Sequence, residues 1–166
     1  MKPSDATSSV HAIPVVPGPL GPAPQHPAAA RVVEFFETLT PAALARLEEI
    51  YTPQAYFKDP FNEVRGLEEV RRIFVHMYAA LEQPRFVVTD CIAQGDQCFL
   101  SWNFQFHFKN FDRANLQTIR GGSHLKFTAG GLVDFHRDYW DAAEELYEKL
   151  PLLGHLMRWL KHRARQ

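Results

Sequence analysis

RFVVTDCIAQGDQCFLSWNFQFHF, residues 85–108, carries the change of period on which the fold turns. From Pro84 onward apolar residues recur every second position, the repeat of a strand with two distinct faces. Trp102, Phe104, Phe106 and Phe108 fall on one of those faces. Gly95-Asp96 divides the stretch into two strands joined as a hairpin. Two further strands follow on the C-terminal side. LQTIRGGSHLKFT is the first, with Gly121-Gly122 expected to bend or bulge it, and GLVDFHRDYW is the second.

On the N-terminal side the period is helical. AAARVVEFFETL places Val32, Phe35, Phe36 and Leu39 at helix spacing. TPAALARLEEIY can be capped by Thr40, with Pro41 in its first turn. AYF reads as a short strand, and LEEVRRIFVHMYAAL carries a stripe of Val70, Phe74, Met77 and Leu81. Helices first and a strand meander after them predict an α+β domain. Its helices would pack on one face of a curved antiparallel sheet, forming a cone around an apolar pocket.

The 166 residues are 46% hydrophobic and 22% charged, enough for one domain with a real core. The net charge is −1 and the pI about 6.7, which gives no signal for nucleic acid or an anionic membrane. Cys91 and Cys98 show no CxxC or zinc spacing, so they read as reduced, buried residues of a cytoplasmic protein. No apolar run is long enough to span a membrane. Residues 1–27 hold seven of the twelve prolines and are expected to be a disordered or polyproline-II tail. The domain is placed at 28–166. It includes a C-terminal helical segment interrupted at Pro151, whose GHLMRWLKHRARQ end carries a Leu156, Trp159 and Leu160 stripe.

FKDPFNEVRG, residues 57–66, sets an Asp before a Pro, between a strand and a helix. Asp59 can close a turn on its own backbone, or it can serve as a pocket carboxylate beside Phe57 and Phe61. HRDYWD, residues 136–141, puts His136, Asp138 and Trp140 on one strand face, and Asp141 at the N-cap of AAEELYEKL.

The order helix–helix–DP–helix–meander resembles the nuclear transport factor 2-like fold, over roughly Ala28 to Gly154. That group includes ketosteroid isomerases, limonene-epoxide hydrolases and SnoaL-like polyketide cyclases. FKDPFNEVRGLEEVRRIF resembles the isomerase pattern of acidic residue, Pro, short loop, Gly and helix, which implies that Asp59 is the general base. HRDYWD resembles the segment that supplies a pocket carboxylate in the hydrolases and cyclases, which implies an acid–base role for Asp138. The sequence departs from two of these patterns. Phe35 and Ser123 stand where the isomerases carry their acidic oxyanion donors, and Asn103 and Gln105 stand where the hydrolases carry Arg-x-Asp.

The resemblance leaves two functions open. One is an isomerase, cyclase or hydrolase that moves a proton on a small apolar carbonyl-type substrate. The other is a non-catalytic module that uses the same pocket for a ligand or a protein. The candidate catalytic residues are Asp59, Asp138 and His136. The candidate pocket residues are Phe35, Phe57, Phe61, Phe74, Met77, Trp102, Ser123, His124 and Trp140. No metal and no cofactor is expected. Apolar residues on both strand faces predict a homodimer through the open sheet face, with part of the set Trp102, Phe104, Phe106 and Phe108 buried there.

Overall fold

The computed structural model describes residues 26–110, 112–147 and 162–163. The proline-rich tail before His26 and the Leu156, Trp159 and Leu160 stripe lie outside the described residues. The elements are α1 (Pro27–Glu37), a 3₁₀ segment (Ala42–Glu49), β1 (Tyr51–Lys58), β2 (Glu63–Arg65), α2 (Leu67–Ala80), β3 (Leu81–Gln94), β4 (Gln97–Phe108), β5 (Gln117–Phe127), β6 (Val133–Tyr139) and α3 (Ala142–Glu145).

The strands form one six-stranded sheet in the order β2-β1-β6-β5-β4-β3. All pairs are antiparallel except β1 with β6. The parallel pair brings Phe57 beside His136, and so joins the two acidic motifs of the sequence.

Two bulges bend β3, one between Glu82 and Arg85 and one between Val88 and Asp90. Each puts an extra residue opposite β4, which curls the sheet. Pro84 sits at the first bulge, on an edge strand, where a missing amide donor costs no ladder bond. The strand therefore begins four residues earlier than the period alone indicates. Glu37, at the end of α1, accepts a hydrogen bond from the Val88 amide beside the second bulge at 3.1 Å.

α1 buries Val32, Val33, Phe35 and Phe36 at helical spacing. His26 caps it, accepting from the Ala29 amide at 3.4 Å. α2 starts after Gly66, whose φ of +109° suits glycine, and carries Glu68 and Glu69 in its first turn, where carboxylates favour the helix dipole. α1 lies against β3, and α2 against β1 and β3. The core between them is aromatic: Phe36 meets Phe35, Phe74, Phe86 and His136 within 6.1 Å. Burying each such Phe contributes about 1.5–3 kcal/mol.

Gly121 and Gly122 do not bulge β5; its register with β4 runs unbroken through them. They leave room for rings instead, Trp102 over Gly121 and Phe99 over Gly122. The four aromatic residues of β4 also face differently from the expected dimer surface. Trp102, Phe104, Phe106 and Phe108 point to the concave side, toward the helices, because that side excludes water.

Cys91 and Cys98 are free thiols. Burial pushes the Cys98 thiol up to about 12, so it is a poor nucleophile. No helix among the described residues is long and apolar enough to cross a membrane.

Candidate functional site

Between α2 and the concave face lies a cavity of about 350 Å³, within the size range of small-ligand sites. β4 supplies Trp102, Phe104, Phe106 and Phe108; β1 supplies Phe57; β3 supplies Phe86. α2 contributes Ile73, Phe74, His76 and Met77. Trp140 and Leu146, just after β6, close one side, and Asp59, Phe61 and Asn62 form a loop on the wall. Asp138 reaches in from β6.

Asp138 is held by two converging chains of donors. On one side Tyr51 Oη lies 2.6 Å from His136 Nδ1, and His136 Nε2 lies 2.8 Å from Asp138 Oδ1. Burial, and then the nearby Asp138 charge, hold the Tyr51 phenol well above its ordinary pKa. Tyr51 therefore keeps its proton and donates it to Nδ1. That leaves His136 its hydrogen on Nε2, pointed at Asp138. On the other side Trp102 Nε1 donates to Ser123 Oγ at 2.8 Å, and Ser123 donates to Asp138 Oδ1 at 2.5 Å. Every donor aims at one carboxylate oxygen. Asp138 Oδ2 takes no hydrogen bond from the described residues.

His136 is only 2% exposed, stacked on Tyr51 and edge-on to Phe57 and Phe36. It lines, with Ser123, a smaller void of about 20 Å³ behind Asp138. It hydrogen-bonds Asp138 and does not line the large cavity.

Asp59 lines the cavity but spends its oxygens on its own loop. Oδ1 accepts from the Phe61 amide at 2.7 Å, the Asn62 amide at 2.6 Å and Asn62 Nδ2 at 3.0 Å. Oδ2 accepts from Asn62 Nδ2 at 2.9 Å. Both sequence readings of this residue hold at once: it closes a turn and it faces the cavity. Asp138 is the carboxylate with an oxygen left over.

Of the expected pocket residues, Phe57, Phe61, Phe74, Met77, Trp102 and Trp140 line the cavity together with both aspartates. Phe35 does not: it is buried in the core, and Phe36 is the α1 residue that reaches His136. Ser123 sits one layer behind the wall. His124 lies on the opposite, convex face, with Nε2 2.8 Å from Gln97 Oε1, since neighbours on a strand point to opposite sides. Neither Arg120 nor Arg137 pairs with Asp138. Arg120 pairs with Glu145, and Arg137 lies over the Tyr139 ring. Asp141 does cap α3, accepting from the Ala143 and Glu144 amides.

The tyrosine relay was missed. The strand is longer than AYF suggests, and Pro53 breaks the alternation that would have carried Tyr51 to the inner face. The Tyr51 phenol gives a test. Its folded pKa is raised, so its contribution to stability is full below pH 10, its ordinary value, and is lost as pH rises through the folded value. Melting temperature is expected to fall as pH rises above 10, and to fall less in Tyr51→Phe. An equal fall in both proteins would assign the effect to other groups.

A curved sheet with helices packed on its concave face is the nuclear transport factor 2-like fold. This chain belongs to the SnoaL-like domain family, whose sequence profile matches residues 32–136. Similar solved structures share the fold. One is a protein of ketosteroid isomerase-like fold from Catenulispora acidiphila, in complex with trimethylamine: 16% identical, TM-score 0.61, covering 75% of this chain and 92% of that one. Another is a candidate SnoaL-like polyketide cyclase from a Jannaschia species: 15% identical, TM-score 0.59, covering 75% and 92%. A third is an epoxide hydrolase of the limonene-epoxide hydrolase type from M. tuberculosis: 14% identical, TM-score 0.58, covering 71% and 86%. No curated protein matches the sequence.

Proposed function

We propose that this protein is an acid–base enzyme that moves a proton on a small, largely apolar carbonyl compound, with Asp138 as the base. The observation that carries this is the Asp138 carboxylate itself. One of its oxygens is pinned by Ser123 and His136, the other takes no hydrogen bond from the described residues, and the residue lines a cavity walled by rings. A base fixed in that way pays little reorganisation at the moment of reaction. Asp59 shapes the wall. His76 and Trp140, which line the same cavity, carry ring N–H groups of the kind an enolate oxygen would need.

Carbon-acid chemistry is favoured over epoxide hydrolysis by the orientation of β4. Its inward residues at this level are Trp102 and Phe104, while Asn103 and Gln105 belong to the convex side. Among the described residues no arginine and no second strand carboxylate therefore meets Asp138 there. A second reading, non-catalytic capture of a small ligand, draws support from the trimethylamine complex of the Catenulispora acidiphila protein.

The test is proton exchange on a simple bicyclic ketone, 2-tetralone, in D₂O followed by NMR. The protein is expected to accelerate loss of the α-proton signal over buffer alone. Binding of the ketone with no acceleration would leave the capture reading in place of the enzyme.

The homodimer belongs to the same proposal, with a changed surface. Ile92 is 72% exposed, and Phe99 and Tyr139 are each 44% exposed, all on the convex face. Self-association through that face would cover them. Light scattering at micromolar concentration is expected to give twice the chain mass, and Phe99→Asp to give the monomer. A monomer mass for the unaltered protein would remove the dimer.

A further inference from the structure

The large cavity has an uncompensated charge. Asp59 and Asp138 both line it, and among the described residues no lysine or arginine does. Asp59 is held only by neutral amide donors. Asp138 is held only by a hydroxyl and by an imidazole that already accepts from Tyr51. The nearest basic side chains in sequence are committed elsewhere: Lys58 to Glu63, Arg137 to the Tyr139 ring. Two carboxylates on one ring-lined wall make that wall a place for a cation to pair.

The rest of the wall says what kind of cation would suit. Phe57, Phe74, Phe86, Trp102, Phe104 and Trp140 surround the space. Ring faces attract positive charge, most strongly when it is desolvated and carried on an alkylated nitrogen. A metal ion is a poor match, since hard cations want a shell of oxygens and not rings.

We propose that the cavity takes an organic ammonium ion, quaternary or protonated tertiary, held by its aromatic rings and its two aspartates. The inference rests on the reading of this cavity as the ligand site, but not on catalysis there. It names the ligand class: small molecules that carry an alkylated ammonium group.

The experiment compares choline with its uncharged carbon isostere, 3,3-dimethylbutan-1-ol, by calorimetry on the full-length chain. The two probes have the same shape and differ in charge. Choline is expected to bind at least tenfold more tightly. Asp138→Asn and Asp59→Asn are each expected to shrink that preference. Equal affinity for the two probes, or preference for the isostere, would overturn the ammonium assignment and leave the apolar cavity standing. A choline preference undiminished in both variants would overturn it too, because the charge would then be recognised elsewhere. Binding of neither probe would overturn both this inference and the reading of the cavity as a ligand site. The comparison within the unaltered protein stands even if a variant fails to fold.

Discussion

Asp138→Asn is expected to cut proton exchange on 2-tetralone by about 10²-fold or more, the usual scale for removing a positioned base. The substitution is nearly isosteric. Asn keeps a carbonyl oxygen that can accept from Ser123 Oγ and His136 Nε2, now 2.5 and 2.8 Å from the carboxylate. What it lacks is the basic oxygen on the cavity side. The fold is expected to survive, since removing a charge from an apolar site relieves desolvation as often as it breaks a bond. Melting temperature is the control, and a change of only a few degrees would assign the lost exchange to chemistry. Asp59→Asn is the companion measurement. Asp59 spends both oxygens on the 59–62 loop, so exchange is expected to fall less than tenfold. If instead Asp59→Asn removes the activity and Asp138→Asn spares it, the roles are reversed and the turn geometry is incidental.

The two helices and the hairpin strands were legible because each repeats a simple period. Val32, Phe35, Phe36 and Leu39 stand at helix spacing, and Gln97–Phe108 alternates. Period two does not say which face meets the helices. Both faces of β4 and β6 carry rings, so Trp102 and its neighbours could be assigned to a dimer surface until the helices were placed. The polar residues between them, Asn103 and Gln105, were the available clue. His124 was drawn to the pocket by its neighbour Ser123, yet one step along a strand reverses direction. The His136–Asp138 pair was readable, since i and i+2 share a face. Its partner Tyr51 was not, because the bond spans 85 residues and depends on the parallel pairing of β1 with β6. No local pattern announces a parallel neighbour. His76 lies one residue from the Met77 stripe position, about 100° around the helix, which is why periodicity left it out of the wall.

Gly121→Val is expected to destabilise the protein by about 3 kcal/mol, the upper end of the usual range for overpacking. In a domain of this size that is a fall of roughly 10 °C in melting temperature. Gly121 pairs with Trp102 across β4 and β5. A Cβ there would fall 2.7 Å from Trp102 Cζ2 and 2.9 Å from Cζ3. A flexible side chain could swing away from such a contact, but this ring cannot. Its Nε1 is bonded to buried Ser123, its edge meets Phe86 at 5.7 Å, and it is 6% exposed. Moving it also strips a donor from the Ser123–Asp138 bond, so proton exchange should drop along with stability. The cause can be isolated by a double-mutant cycle with Trp102→Leu. The leucine ends short of Gly121, so adding Gly121→Val to it should cost under about 1 kcal/mol, a coupling well beyond the additivity error of distant sites. If the two substitutions are instead additive, the absence of a side chain at 121 serves the backbone of β5 and not the ring above it.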